Sequence, residues 1–375
     1  MTSPFDKYLD AVSETEPIKR TGVVSRVQGL LIESRGPQAS VGELCRINLK
    51  DNTESIIAEV IGLNGSTVQL MAYEDIQGVE IGCDVIASGM MLSVPVGSVL
   101  LGRVVDSLGR AADGKQEPYA PLHYPILASP PDPLERRPIK ERIVTGIRAI
   151  DALLAVGRGQ RIGIFAGSGI GKSTLMGMIA RNTSADVNVI ALIGERGREV
   201  NDFLEHDLGP EGLKHSVVVT ATSDTTPLAR IRGAYTATAI AEYFRDQGKD
   251  VMLLFDSVTR LPRLNAKSAS RSGNRRQPAA TLQVSLKHCL NCLSGAEHPQ
   301  KVRLPAFIPY SLTATTWTSR FPMRYAVFWT GTLYLTENLH SAGTTLPSTY
   351  SAVFPVWQTA FQGNAVKKQH SICVN

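Results

Sequence analysis

The sequence has few of the residues that mark membrane-spanning, disulfide-rich or secreted proteins. No run approaches the roughly 18–20 apolar residues of a membrane helix, and only five of the 375 residues are cysteine. The first twenty residues lack the basic-then-apolar order of a signal peptide. These absences argue against a transmembrane or disulfide-scaffold class, and we expect a cytoplasmic protein with reduced cysteines.

Acidic residues are almost missing from the last third of the chain. Residues 261–375 contain 12 Lys and Arg but only Glu297 and Glu337, a net charge of +10. Residues 1–260, with 27 basic and 32 acidic residues, have a net charge of −5. All three Trp and three of the five Cys also lie in the last stretch. The chain therefore has two compositions, and the change falls near Arg260.

The pattern of apolar residues divides the chain into segments. Residues 1–20 form a mostly polar segment with helical spacing, which is typical either of a frayed terminus or of a helix that docks on a partner. Residues 21–95 contain several short alternating segments separated by Gly and Asn, which predicts a small β-barrel. Residues 96–260 alternate apolar strands with helical stretches, which predicts an α/β fold with a parallel sheet.

A glycine-rich loop between a strand and a helix predicts a phosphate site. Residues 163–174 read GIFAGSGIGKST, a P-loop pattern in which Ala166 replaces the usual first glycine. Backbone N–H groups of such a loop surround phosphates, Lys172 reaches the β- and γ-phosphates, and the Ser173 hydroxyl ligates Mg²⁺. The predicted nucleotide-binding residues are Gly167, Ser168, Gly169, Ile170, Gly171, Lys172, Ser173 and Thr174.

Two acidic residues that follow apolar strands are candidates for the chemistry. Asp256 ends the strand VMLLFD, where an acid beside a P-loop holds Mg²⁺. Glu195 follows the strand VIALIG and could polarise an attacking water, with Arg196 and Glu199 nearby. From spacing alone this role for Glu195 is only one option, because charged residues after a strand usually belong to a solvated turn.

Several segments together resemble a known family. The chain contains PPDPLERRPI, TGIRAIDALL, AGSGIGKST, GERGREV, LARIRGAYTATAIAEYFRDQGKDV and LLFDSVTR, in that order. In order and spacing they resemble the ATPases of flagellar and type III protein export, which are relatives of the catalytic subunit of rotary ATP synthases. The segment GLLIESRGPQASVGELCRI is most similar to the flagellum-specific enzymes. The resemblance covers roughly residues 17–260.

The resemblance implies a fold, an activity and partners. It implies a β-barrel domain, a RecA-like P-loop domain and a homo-hexamer that hydrolyses ATP with Mg²⁺ at its subunit interfaces to unload substrates for export. The partners it implies are a regulator at residues 1–20, the export apparatus and chaperone–substrate complexes, with peripheral association at the inner face of the cytoplasmic membrane. It assigns catalysis to Lys172, to Glu195 as the water-activating carboxylate and to Arg196 on the γ-phosphate side, and the metal to Ser173 and Asp256.

The resemblance ends after SVTR, and we interpret the break as a frameshift near Leu261. The family segment GEPPATRGYTPSVF, written in suitable codons and read one base later, gives residues 273–285. The family segment DAVRSILDGH treated in this way gives residues 323–332. We therefore expect residues 261–375 to be irregular, to lack the family's C-terminal domain, arginine finger and adenine-stacking segment, and to leave the strand ending at Asp256 without one neighbour.

Four functions remain open on the sequence. The first is an export ATPase, impaired here by the loss of its C-terminal half. The second is the catalytic subunit of a rotary ATP synthase. The third is a RecA-like hexamer that acts on nucleic acid, which the net charge of −5 over residues 1–260 disfavours. The fourth is a non-catalytic remnant that binds at most a phosphate or a partner protein.

Overall fold

The computed structural model describes residues 19–50, 54–128, 139–166 and 171–256, and three further strands at 306–311, 331–335 and 350–353. For residues 165–166 and for the last three strands it describes the backbone alone. The chain divides into two compact units, residues 1–92 and residues 93–375. The proposed helix at residues 1–20 falls almost entirely outside the described residues.

The first unit is a closed six-stranded barrel. Its strands alternate between buried and exposed residues, because successive side chains of a strand point to opposite faces. Inside the barrel lie fully buried side chains such as Ile32, Ile47 and Leu70. The strands are hydrogen-bonded in the order β1-β2-β5-β4-β3-β6. Their bounds are β1 Thr21–Gln28, β2 Leu31–Arg35, β3 Glu43–Asn48, β4 Ser55–Asn64, β5 Thr67–Ala72 and β6 Asp84–Met91.

The second unit contains an eight-stranded sheet and a separate ribbon. The ribbon pairs β7 (Ser93–Val96) with β9 (Leu122–Pro125). The strands of the sheet lie in the order β16-β15-β10-β14-β13-β11-β12-β8, and only the β15–β16 pair is antiparallel. Their bounds are β8 Arg103–Val105, β10 Arg161–Ala166, β11 Val187–Ile193, β12 Ser216–Ala221, β13 Val251–Asp256, β14 Ala306–Ser311, β15 Gly331–Leu335 and β16 Tyr350–Val353.

Helices connect and cover these strands. In the described part of the second unit the α-helices are α1 Arg148–Leu153, α2 Lys172–Asn182, α3 Gly197–Asp202, α4 Gly209–Lys214 and α5 Pro227–Asp246. A π-helix, Phe203–Leu208, continues directly from α3, and a short 3₁₀ helix spans Ser98–Leu100. The longest helix, α5, begins where the Thr226 side chain accepts a hydrogen bond from the Ala229 N–H, with Pro227 in its first turn.

The predicted fold class, a small barrel followed by an α/β nucleotide-binding domain, is confirmed. Strands β11 and β13 are buried at every residue, as expected for strands covered on both faces. The domain boundaries drawn from the sequence stay predictions.

The expectation that β13 lacks a neighbour is wrong, because β14 lies between β10 and β13. It pairs with β10 at six positions but with β13 at only two, Leu253 with Ala306 and Leu254 with Phe307. An open strand edge offers unpaired N–H and C=O groups, and any extended segment can satisfy them. The short segment AFIPYS fills this place, although it lies after the interpreted frameshift at Leu261.

Candidate nucleotide site

The P-loop lies between β10 and α2, as the sequence predicts. Residues 167–170, which include Gly167, Ser168, Gly169 and Ile170, lie outside the described residues. Gly171 has a φ of +80°, in the left-handed region that favours glycine. It is the residue immediately before α2, and no side chain caps this helix end. The first N–H groups of α2 and its positive dipole end therefore face the loop, which suits an anion.

The carboxylates of Glu195 and Asp256 come together through strand register. Strands β11 and β13 are parallel neighbours, and Leu192 is paired with Asp256. Glu195 follows β11 by two residues, so both acids lie at the carboxyl end of the sheet, where α/β proteins bind their ligands. Both are buried: Glu195 is 7% exposed and Asp256 is 3% exposed.

Lys172 brings these two acids into one charged group. Its Nζ donates a hydrogen bond to Oδ1 of Asp256 and lies 4.0 Å from Oε1 of Glu195. The Lys172 side chain is only 15% exposed, so water screens these interactions less than at the surface. One ammonium thus faces two buried carboxylates at the first turn of α2.

A cavity of about 120 Å³ opens beside this group. Its polar lining is made almost entirely of oxygen: the Ser173 hydroxyl and the side chains of several acids. Its lining residues are Ser173, Leu192, Glu195, Glu199, Val200, Asp202, Phe203, Asp207 and Asp256.

These donors fit Mg²⁺. The ion prefers oxygen ligands and is usually bound by one or two carboxylates together with substrate phosphates. Among the residues that the structure describes, no group of three or more His, Cys, Asp or Glu is arranged to hold a metal ion by itself. A site completed by phosphate oxygens agrees with that finding.

The predicted site residues do not all lie in this cavity. Lys172, Ser173, Glu195 and Asp256 come together. Arg196 precedes α3, its side chain is 76% exposed, and its closest acidic partner is Glu199 at 3.9 Å. Thr174 lies in the first turn of α2 and does not line the cavity.

Five lining residues were not singled out from the sequence, namely Leu192, Val200, Asp202, Phe203 and Asp207, and the last three lie beyond the motif GERGREV. These three follow it within the next ten residues, but a π-helix carries Phe203 and Asp207 to the cavity. The sequence contains no pattern that we recognise as predicting this π-helix.

The segment TGIRAID supports the far end of α2. The carboxylate of Asp151 accepts hydrogen bonds from the backbone N–H and hydroxyl of Thr145 and from the N–H of Gly146, each at 2.9 Å. Just before this segment, the Val144 carbonyl accepts a hydrogen bond of 3.0 Å from the N–H of Ser184, which follows α2. This loop therefore holds the C-terminal end of the helix whose first turn carries Lys172.

The barrel, the parallel sheet and the P-loop helix with two acids define a P-loop nucleotide-binding protein of the ATP synthase type. Family models agree. The ATP synthase alpha/beta family, nucleotide-binding domain, matches residues 146–278, and the beta-barrel domain of that family matches residues 24–89. The first match ends 18 residues beyond Arg260.

Individual relatives narrow the family. The chain is 65% identical over 267 residues to the flagellum-specific ATP synthase of Treponema pallidum, covering 71% of this chain and 60% of the relative. It is 47% identical over 255 residues to the type 3 secretion system ATPase of Xanthomonas euvesicatoria, covering 68% and 58%. A solved structure of the assembled ATPase EscN with its central stalk EscO, from enteropathogenic E. coli, is 38% identical with a TM-score of 0.77, covering 87% of this chain and 78% of that one.

The chain belongs to the family of flagellum-specific and type III secretion ATPases, as its motifs predicted. It spans about 60% of the length of the curated flagellum-specific relative from Treponema pallidum. In the described part of the chain, no helix is both long and apolar enough to span a membrane.

Proposed function

We propose that this chain binds ATP with Mg²⁺ as the ATPase of a flagellar protein export apparatus. One observation carries the proposal: Lys172 at the start of α2 meets the buried carboxylates of Glu195 and Asp256 at the ends of two adjacent parallel strands. This is the arrangement that phosphoryl transfer from a nucleotide requires, a cation for the phosphates beside acids for a metal and a water.

Each residue receives a distinct role. Lys172 holds the β- and γ-phosphates, and Gly171 with the preceding loop directs backbone N–H groups to them. The Ser173 hydroxyl and the Asp256 carboxylate hold Mg²⁺, which when bound neutralises charge on the phosphate oxygens. Glu195 orients and polarises the attacking water. Arg196 is assigned to the γ-phosphate; its side chain is exposed and lies 3.9 Å from Glu199.

The assembly and partners follow the family. We propose a homo-hexamer with the nucleotide between subunits, a regulator bound at residues 1–20, and contacts with the export apparatus and chaperone–substrate complexes. The place proposed for this assembly is the cytoplasm, at the inner face of the membrane. Support comes from the similar ATPase EscN, which was solved as an assembled ATPase with its central stalk EscO.

A second candidate is a chain that binds the nucleotide but hardly turns it over. The change of composition after Arg260 favours it. The resemblance places the arginine finger and the adenine-stacking segment in the part that the frameshift replaces. Loss of an arginine finger alone costs about a thousandfold or more in related sites.

Calorimetry with ATP and Mg²⁺, together with phosphate release, tests both candidates on the full chain. Lys172→Ala should abolish measurable binding, whereas Glu195→Gln should bind ATP and lose any turnover that the parent has. Lys214→Ala is the matched control. It removes a lysine from an exposed ion pair with Glu211 and should leave both ATP binding and turnover unchanged.

The outcomes separate the candidates. A chain restored to the family's reading frame at Leu261 should turn ATP over about a thousandfold faster than the parent if the second candidate is correct. Equal rates would instead support an active parent. A parent that does not bind ATP with Mg²⁺ would refute both candidates. Equal turnover by the restored chain with and without Glu195→Gln would remove Glu195 from its role.

A further inference from the structure

The P-loop helix touches the π-helix through a glycine. Gly177 lies in the middle of α2 and is buried. A methyl group built on it would lie 2.6 Å from the carbonyl carbon of Asp207 and 2.8 Å from the Cβ of Asp207, and it would also overlap the Asp207 carbonyl oxygen. Carbon atoms in contact normally lie about 3.5–4.0 Å apart, so the two backbones approach as closely as they do only because residue 177 has no side chain.

This contact lies on the functional face of α2. Residues four apart in an α-helix lie on one face, so Gly177 is one turn beyond Ser173 on the side that faces the cavity. Ser173 and Asp207 both line that cavity. The Gly177 contact therefore sets how far the Asp207 residue lies from the Ser173 hydroxyl.

The π-helix directs two residues to the same place. Phe203 and Asp207, four residues apart in the segment Phe203–Leu208, both line the cavity. Phe203 is buried, with 3% exposure, and belongs to the hydrophobic core, which anchors the π-helix on its inner side. Single turns of π-helix within α-helices frequently occur at functional sites because they redirect side chains.

We infer that Gly177 is a positioning residue for the metal–nucleotide site. It allows the π-helix to lie close against α2, so that Asp207 stays in the cavity lining together with Ser173, Glu195 and Asp256. At that position Asp207 does not bind Mg²⁺ directly but adds a negative charge near it. The inference rests on the proposed function, since it concerns how strongly Mg²⁺ promotes ATP binding.

The test is the ratio of ATP affinities with Mg²⁺ and with EDTA, measured by calorimetry on the full chain. In the parent we expect Mg²⁺ to tighten ATP binding. Gly177→Ala should shift the π-helix and reduce this ratio about tenfold while binding in EDTA changes little, because the lysine and the loop still hold the phosphates. Asp207→Asn removes the charge without adding volume and should reduce the ratio in the same direction.

A matched control distinguishes positioning from general damage. Gly233→Ala adds the same methyl group to α5, where it meets the side chains of Ile193 at 3.1 Å and Ala221 at 3.2 Å, so it perturbs packing without touching the π-helix. Melting temperatures show whether each variant folds. An unchanged ratio in Asp207→Asn, or an equal fall in Gly177→Ala and Gly233→Ala, would overturn the inference. If Gly177→Ala does not fold, Asp207→Asn decides alone.

The same experiment separates this inference from the proposed function. A parent that binds ATP more tightly with Mg²⁺, together with variants that behave like the parent, overturns the positioning role only. A parent that binds no ATP in either buffer overturns both.

Discussion

Replacing Lys172 with methionine should destabilise the nucleotide unit even when no nucleotide is bound. The substitution removes the ammonium and keeps an unbranched apolar side chain that is one heavy atom shorter. It leaves the side chains of Asp256 and Glu195, 4% and 10% exposed, without the cation that now faces both of them. Two carboxylates would then share a poorly hydrated site without the ammonium that offsets part of the cost of their burial.

The size of the effect follows from that burial. Removing one partner of a buried ion pair costs about 3–5 kcal/mol, because the remaining charge is left uncompensated. Here Lys172 and the two carboxylates border a cavity that water can enter, so we expect a loss at the lower end of this range, about 3 kcal/mol. For a unit of this size such a loss lowers the melting temperature by roughly 6–12 °C.

Thermal unfolding followed by circular dichroism at 222 nm measures the loss. The double variant Lys172→Met with Asp256→Asn should recover most of the stability, since the asparagine carries no charge.

Two comparisons make this prediction refutable. Lys214→Met breaks an ion pair to Glu211 of 2.7 Å whose side chains are 63% and 80% exposed, and it should leave the melting temperature nearly unchanged. If Lys172→Met melts with the parent, or if the double variant is no more stable than the single one, the electrostatic reasoning is wrong.

Two further predictions concern stability. Burial raises the pKa of Glu242 from 4.5 to about 7, although Arg245 opposes the shift. The folded chain therefore holds this proton more tightly than the unfolded chain does. The free energy of unfolding should fall as the pH rises from about 4.5 to 7, by at most about 3 kcal/mol. Glu242→Gln should remove this part of the pH dependence in urea titrations, and an unchanged slope would contradict the assignment. Gly146 has a φ of +77°, and a methyl group there would lie 2.7 Å from the Asn182 carbonyl oxygen. Gly114 has a similar φ of +69°, but a methyl group there would meet nothing within 4 Å. Gly146→Ala should therefore lower the free energy of unfolding by roughly 1–3 kcal/mol more than Gly114→Ala does. Equal melting temperatures of the two variants would refute the overlap.

Features encoded by neighbouring residues could be predicted from the sequence. The P-loop is a run of consecutive residues between a strand and a helix, so its glycines, Lys172 and Ser173 are visible without knowledge of the fold. The barrel strands and the buried strands β11 and β13 could be recognised because burial on one face or on two leaves a periodic or a continuous apolar pattern. The family motifs added the role of Glu195, which spacing alone left open.

Features that depend on contacts between distant segments needed the tertiary structure. Lys172 meets Asp256, 84 residues away, because α2 packs against β13. Glu195 lies beside them because β11 and β13 are adjacent, with Leu192 paired to Asp256. The strand β14 beside β13 was not expected, since an open edge can be filled by a segment that no family pattern marks. The approach of Gly177 to Asp207 likewise appears in no local pattern, because it arises when two helices pack backbone against backbone. The local sequence was enough to predict which groups could carry the chemistry, whereas strand register and helix packing decided which of them meet.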